Sequence, residues 1–161
     1  MAIEDVFEGA RTALIIFDAY VNTVAQEIGR ERAMSLLAKT AEDLGIMQGT
    51  MMKKQPGIRE VDAKAAWPLL KSVPQSLGIS LEMIEETPQR AVAKVGIGKC
   101  SVYEAAQMLE MDAVSIEAMC CTGPERLMNA AAKQLNPKLS FRVRKFRSSP
   151  QDFCEEEVIL G

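Results

Sequence analysis

Between Ile3 and Ile28, apolar residues recur every three or four positions: Val6, Phe7, Ala10, Ala13, Leu14, Phe17, Val21, Val24 and Ile28. That spacing lines one face of an α-helix, and Gly29 supplies its stop. The period resumes at about Arg30 through Leu36, Leu37, Ala41 and Leu44, predicting a second helix that "GTMMKKQPGI" breaks at Pro56-Gly57. A third helical stretch covers about Asp62 to Leu77. Pro68 and Pro74 fall inside it, and each removes a backbone donor, so it should be kinked or divided.

The texture then changes. "GISLEMIEETPQRAVAKVGIG" alternates in the manner of strands about a turn at Thr87-Pro88, which predicts a hairpin. A short helix follows Cys100, with Ser101 and Glu104 in capping-box spacing. A further helix is expected at about 123 to 135, ended by Asn136-Pro137, and then two strands at 139 to 147 and 153 to 160. If "SSPQ" is the last turn, Arg144 meets Glu155, Arg142 meets Glu157 and Phe146 meets Phe153 on one face. Phe141 then meets Val158, and Leu139 meets Leu160, on the other. This register turns Cys154 inward, opposite Lys145. The expected fold is α+β: N-terminal helices packed on a small antiparallel sheet that ends in a hairpin. The 161 residues suit a single domain, mainly helical over 1–78 and mixed over 79–161.

Charge and composition narrow the partners. The chain is 48% apolar and 25% charged, as in ordinary globular proteins, and carries a net charge of -3. Its one basic run, "FRVRKFR", is accounted for by the cross-strand acids, so nucleic acid is not an expected partner. No apolar run is long enough to span a bilayer, and the N-terminus lacks a secretory pattern, so a cytoplasmic location is expected. Four cysteines in that compartment are expected to be free, metal-bound or catalytic.

Histidine is absent, which excludes Ser-His-Asp and Cys-His dyads and the HExxH zinc site. Any general base must be Asp, Glu, Lys, Tyr or a thiolate, with Glu104, Glu125 and Asp152 as candidates near the cysteines. Thr122, Gly123, Pro124 and Glu125 have the form of a T-x-x-E capping box, which would set Cys121 just ahead of a helix start. A thiol there feels the positive end of the helix dipole and favours thiolate, with Arg126 adding positive potential. Cys100 stands in a related setting. A metal would draw on Cys100, Cys121 and Cys154. No pair has C-x-x-C spacing, however, and core packing is the favoured role. No cofactor is assigned.

The segments "KCSVYEAAQML", "MCC", "LNPKLSFRVRKF" and "QDFCEEEVIL" resemble the C-terminal half of the L-2-amino-thiazoline-4-carboxylate hydrolase family and the related 4-vinyl reductase ligand-binding domains. The correspondence covers about residues 91 to 160: Cys100 opens a short helix, Cys120 or Cys121 precedes a longer one, Asn136-Pro137 ends it, and Asp152 and Cys154 stand in the last hairpin. The resemblance implies a domain of the nitric-oxide-signalling and Golgi-transport ligand-binding type, working as a homodimer around a small-molecule pocket. As an enzyme, it would open a small cyclic C–N substrate. Cys121 thiolate, or water activated by Glu125, would attack the ring, and Arg126 or Lys145 would hold the substrate carboxylate. Cys100, Cys120 and Cys154 would line the site. The alternative is a ligand or metal sensor, or a scaffold, without turnover.

Overall fold

A computed structural model describes residues 3–55, 58 and 61–161. The fold is α+β. The helical half comprises α1 (Ile3–Ile28), α2 (Arg30–Lys53), α3 (Ala63–Leu70) and α4 (Ser72–Ser76). The hairpin β1 (Leu81–Glu86) and β2 (Arg90–Val95) follows, then α5 (Ser101–Met108), α6 (Ala113–Thr122), α7 (Pro124–Leu135), β3 (Leu139–Lys145) and β4 (Cys154–Leu160). The four strands form one antiparallel sheet in the order β1-β2-β4-β3. No helix among the described residues is long and apolar enough to cross a membrane.

Gly29, at φ +88°, takes the left-handed backbone that lets α2 start one residue after α1 ends. The Pro68/Pro74 stretch is divided as expected, with Lys71 between α3 and α4. Thr87 and Arg90 exchange backbone hydrogen bonds across the predicted hairpin turn. The predicted break at Pro56-Gly57 lies outside the described residues; α2 itself ends at Lys53.

α3 and α7 lie against the sheet, α2 runs along α7, and α1 packs on α5 and α2. The core between sheet and helices holds Trp67, Leu70, Ala93, Met128, Leu135, Phe141 and Val158. Trp67 stacks on Phe141 at 6.4 Å between ring centroids. Burying a side chain of this size stabilises the fold by roughly 1.5–3 kcal/mol. Gly45 and Gly49 of α2 sit directly on the α7 backbone at Leu127 and Ala131, which brings the two helices close together.

Three local expectations are corrected. The C-terminal register holds from Leu139 opposite Leu160 to Val143 opposite Glu156. A bulge then intervenes, so Lys145 faces Glu155, and Cys154 pairs with Val95 of β2 instead. Arg144 still reaches Glu155 at 3.1 Å, because a long side chain spans the one-residue shift. Ser101 and Glu104 do not form a capping box: Cys100 is the N-cap residue, the Ser101 hydroxyl donates to the Leu77 carbonyl, and Glu104 pairs with Arg11 of α1. The charged ladder is also less solvated than its pattern implies. Glu157 is 1% exposed, held by Arg142 and, at 2.8 Å, by Arg90. Burial pushes its carboxyl up, but the two guanidiniums outweigh that and hold it below the usual range.

Candidate functional site

The segment Ala113–Thr122, "AVSIEAMCCT", forms α6, a helix absent from the sequence-based expectation. Asp112 caps it by accepting the Ser115 N–H at 2.8 Å. Cys120 and Cys121 therefore occupy the last turn of α6 rather than the approach to α7. The α7 N-cap is Gly123, and no side chain caps that helix. The Glu125 carboxylate instead accepts the Val143 N–H of β3 at 3.2 Å. At a helix C-terminus the dipole disfavours thiolate, the reverse of the expected activation. Burial raises the Cys121 thiol above its ordinary value, and the charges of Glu125 and Glu117 push the same way.

None of the other cysteines takes over that role. Val102 and Tyr103 N–H groups at the start of α5 favour Cys100 thiolate, but burial outweighs them and its pKa is raised. Burial pushes Cys154 up to about 11. Cys120 is raised well above the ordinary thiol value, by burial first and then by Cys100, Cys154, Cys121 and Asp18 around it. All four cysteines are free. At pH 7.5 iodoacetamide is expected to alkylate each more slowly than it does free cysteine, with rates climbing above pH 9. Peptide mass spectrometry over a time course checks this. Fast modification of Cys121 at neutral pH would restore the thiolate assignment.

Cys100, Cys120 and Cys154 do converge, on a cavity of about 280 Å³ between the α1/α2 pair and the inner layer of α5, α6, α7 and the sheet. Its walls are overwhelmingly apolar, including Leu14, Leu37, Ile116, Met119 and Phe141. Phe17 and Leu44, 43% and 42% exposed, lie where α1 and α2 meet the outside. Cys121, Arg126 and Lys145 are not part of the wall. Arg126 is exposed, and Lys145 pairs with Asp152 at 2.8 Å while covering the Phe153 ring. Lys145, with backbone donors, holds Asp152 well below the usual carboxylate range, so its carboxylate ties the hairpin together. Among the described residues, no group of three or more Cys, Asp or Glu is placed to hold a metal ion, so the Cys100/Cys121/Cys154 set is not assembled.

Of the expected site residues, Glu125 therefore remains at the cavity, with the three thiols as wall. Two others reach it that the motifs did not single out. Asp18 of α1 is 3% exposed, and among the described residues its Oδ2 has no hydrogen-bond partner. Burial raises its carboxyl to about 6. Glu156 of β4 also lines the cavity, raised to about 7 by burial and then by the nearby Glu125 charge. Both left a trace in the sequence. Asp18 follows Leu14 by four residues and precedes Val21 by three, an acid on the apolar face of its helix. Glu156 alternates with Cys154 and Val158 on the inward face of its strand. No protein-family model matches the chain. No curated protein matches it either.

Proposed function

We propose that the protein is a small-molecule-binding module whose ligand occupies the cavity lined by α1, α2, α4, α5, α6, α7 and the sheet. The observation that carries this is the cavity itself: about 280 Å³ of apolar space, with the carboxyl groups of Asp18, Glu125 and Glu156 in the wall. Concave apolar space with a few polar groups is the usual form of a ligand site. The pocket implied by the resemblance to thiazoline-carboxylate hydrolases and 4-vinyl reductase domains agrees with this proposal.

A neutral apolar fluorophore, 1-aminoanthracene, tests it. Its emission is expected to rise on binding, and Ala41→Phe, which fills space at the wall, is expected to abolish the rise while thermal unfolding stays cooperative. An unchanged signal in the variant would locate the dye elsewhere and remove the proposal.

The hydrolytic version is favoured by one observation, that Glu125 lines the cavity with a carboxylate able to activate water. The Cys121 route and the carboxylate-holding roles of Arg126 and Lys145 lose their support, because those side chains lie off the wall. Ring opening of 2-amino-thiazoline-4-carboxylate, lost in Glu125→Gln, would replace binding by catalysis as the function.

We also propose a homodimer through the outer faces of α1 and α2, where Ile16, Tyr20, Leu36, Met47 and Met51 are each at least half exposed. Within "ALIIF", Leu14 and Phe17 serve the cavity while Ile16 points away from it, which separates wall from interface. Light scattering on the purified chain is expected to give twice the 17.7 kDa chain mass, and Ile16→Glu with Tyr20→Glu to return the monomer. A wild-type monomer would rule the dimer out.

A further inference from the structure

The ligand's charge can be inferred from the wall of the cavity. Its titratable groups are Asp18 from α1, Glu125 from α7, Glu156 from β4, and the thiols of Cys100, Cys120 and Cys154; no lysine or arginine is among the lining residues. α2 adds only the hydroxyl of Thr40 to these polar groups. Arg147, whose charge reaches Cys100 and Cys154, is not in the wall; its Nη2 donates to the Gly96 and Asp152 carbonyl oxygens, while among the described residues its buried Nε and Nη1 have no partner.

This fold gives a structural buried carboxylate its own cations. Glu157, 1% exposed, has two guanidiniums. Asp18, 3% exposed, has none among the described residues, and its Oδ2 is buried at the cavity wall without a donor from them. An unpaired carboxyl in apolar surroundings destabilises the protein that carries it, so its placement makes sense as an acceptor for an incoming donor.

We propose that the cavity receives a small apolar molecule carrying one protonated nitrogen, an amine or amidine, with the Asp18 carboxylate as its counter-ion. This rests on the cavity being a ligand site, and it deepens that proposal by naming the class of ligand. Anions are disfavoured by three carboxyl groups in a wall that holds no lysine or arginine among the described residues. A neutral ligand of the same shape gains the apolar contacts but leaves the acceptor poorly matched. Because Asp18 titrates at about 6, binding of the cation displaces its proton in acid, so affinity rises between pH 5 and pH 8 and then levels. Glu156, at about 7, adds to the same trend.

Three matched probes test this: 2-phenylethylamine, 2-phenylethanol and 3-phenylpropanoate, titrated by calorimetry at pH 5 and pH 8. At pH 8 the amine is expected to bind roughly 10- to 100-fold tighter than the alcohol, the range of a hydrogen bond to a charged group. Asp18→Asn should bring the amine to the alcohol's level and leave the alcohol unchanged, whereas Asp18→Glu should keep the preference. Equal binding of amine and alcohol by the wild-type protein would overturn the inference while leaving the cavity a ligand site. So would tighter binding of the carboxylate. Transfer of the preference's loss from Asp18→Asn to Glu156→Gln would overturn the choice of Asp18. Failure of all three probes together with the neutral dye would overturn the ligand site itself.

Discussion

Replacing Gly49 with valine is expected to destabilise the fold by roughly 3 kcal/mol or more, enough to leave little folded protein in a domain of ordinary stability. A Cβ at position 49 would meet the Ala131 Cα at 2.8 Å and the Gln134 Cβ at 2.8 Å, and at position 45 it would run into the Leu127 carbonyl oxygen. These obstacles are largely α7 backbone, which cannot rotate away as a side-chain tip would. The only relief is separation of α2 from α7, which also displaces Leu127 and Met128 from the cavity wall. Urea unfolding of Gly49→Ala and Gly49→Val checks this, with the loss growing from alanine to valine. A neutral Gly49→Val would mean that the helices are not in close contact. As a control, Gly9→Ala meets no described atom within 4 Å and should stabilise slightly, because alanine is the better helix former.

The second large effect is a pH dependence opposite to ordinary acid denaturation. Asp18 rises from 3.8 to about 6 and Glu156 from 4.5 to about 7 on folding. Between the unfolded and folded values the native state holds more protons than the unfolded one, so stability falls as pH rises through that window. From pH 5 to pH 8 the two groups together are expected to remove roughly 2–4 kcal/mol, which for a chain of this length is a drop of roughly 4–16 °C in thermal midpoint. Asp112, Asp152 and Glu157, held below their ordinary values, lose their contributions only as pH falls through lower values, so they do not mask the trend at pH 5. Asp18→Asn should raise the midpoint at pH 8 and change it little at pH 5. Differential scanning calorimetry at both values decides the matter. A wild-type midpoint that rises from pH 5 to pH 8 would show that neither carboxyl is held in its neutral form.

These two effects differ in how far the sequence foretold them. The helices α1 to α4, the β1/β2 hairpin and most of the β3/β4 register follow from spacing between neighbours in the chain. Leu14 to Phe17 to Val21 is one face of a helix, and Arg142 opposite Glu157 is one rung of a ladder. Each such relation is decided within a turn or across a single hairpin. α6 is not legible because "AVSIEAMCCT" is apolar on nearly every side and so has no helical period to detect; its start is marked only by the Asp112 cap on Ser115. Because α6 exists, Cys120 and Cys121 stand at the end of one helix and not at the start of the next, which inverts the electrostatics expected for their thiols.

What the sequence by itself determined is the α+β order of elements, the turns at Gly29 and Thr87-Pro88, and the pairing that neutralises the basic strand. Only the tertiary structure decided which polar groups the core would leave without partners. Asp18 and Glu156 are 138 positions apart in the chain. They come to one cavity because α1 is held over the inner layer through α5 and α2, while Gly45 and Gly49 bring α2 close to α7. Local periodicity records which face of an element is apolar, but burial, and with it the protonation of a carboxyl, depends on what the other elements place against that face.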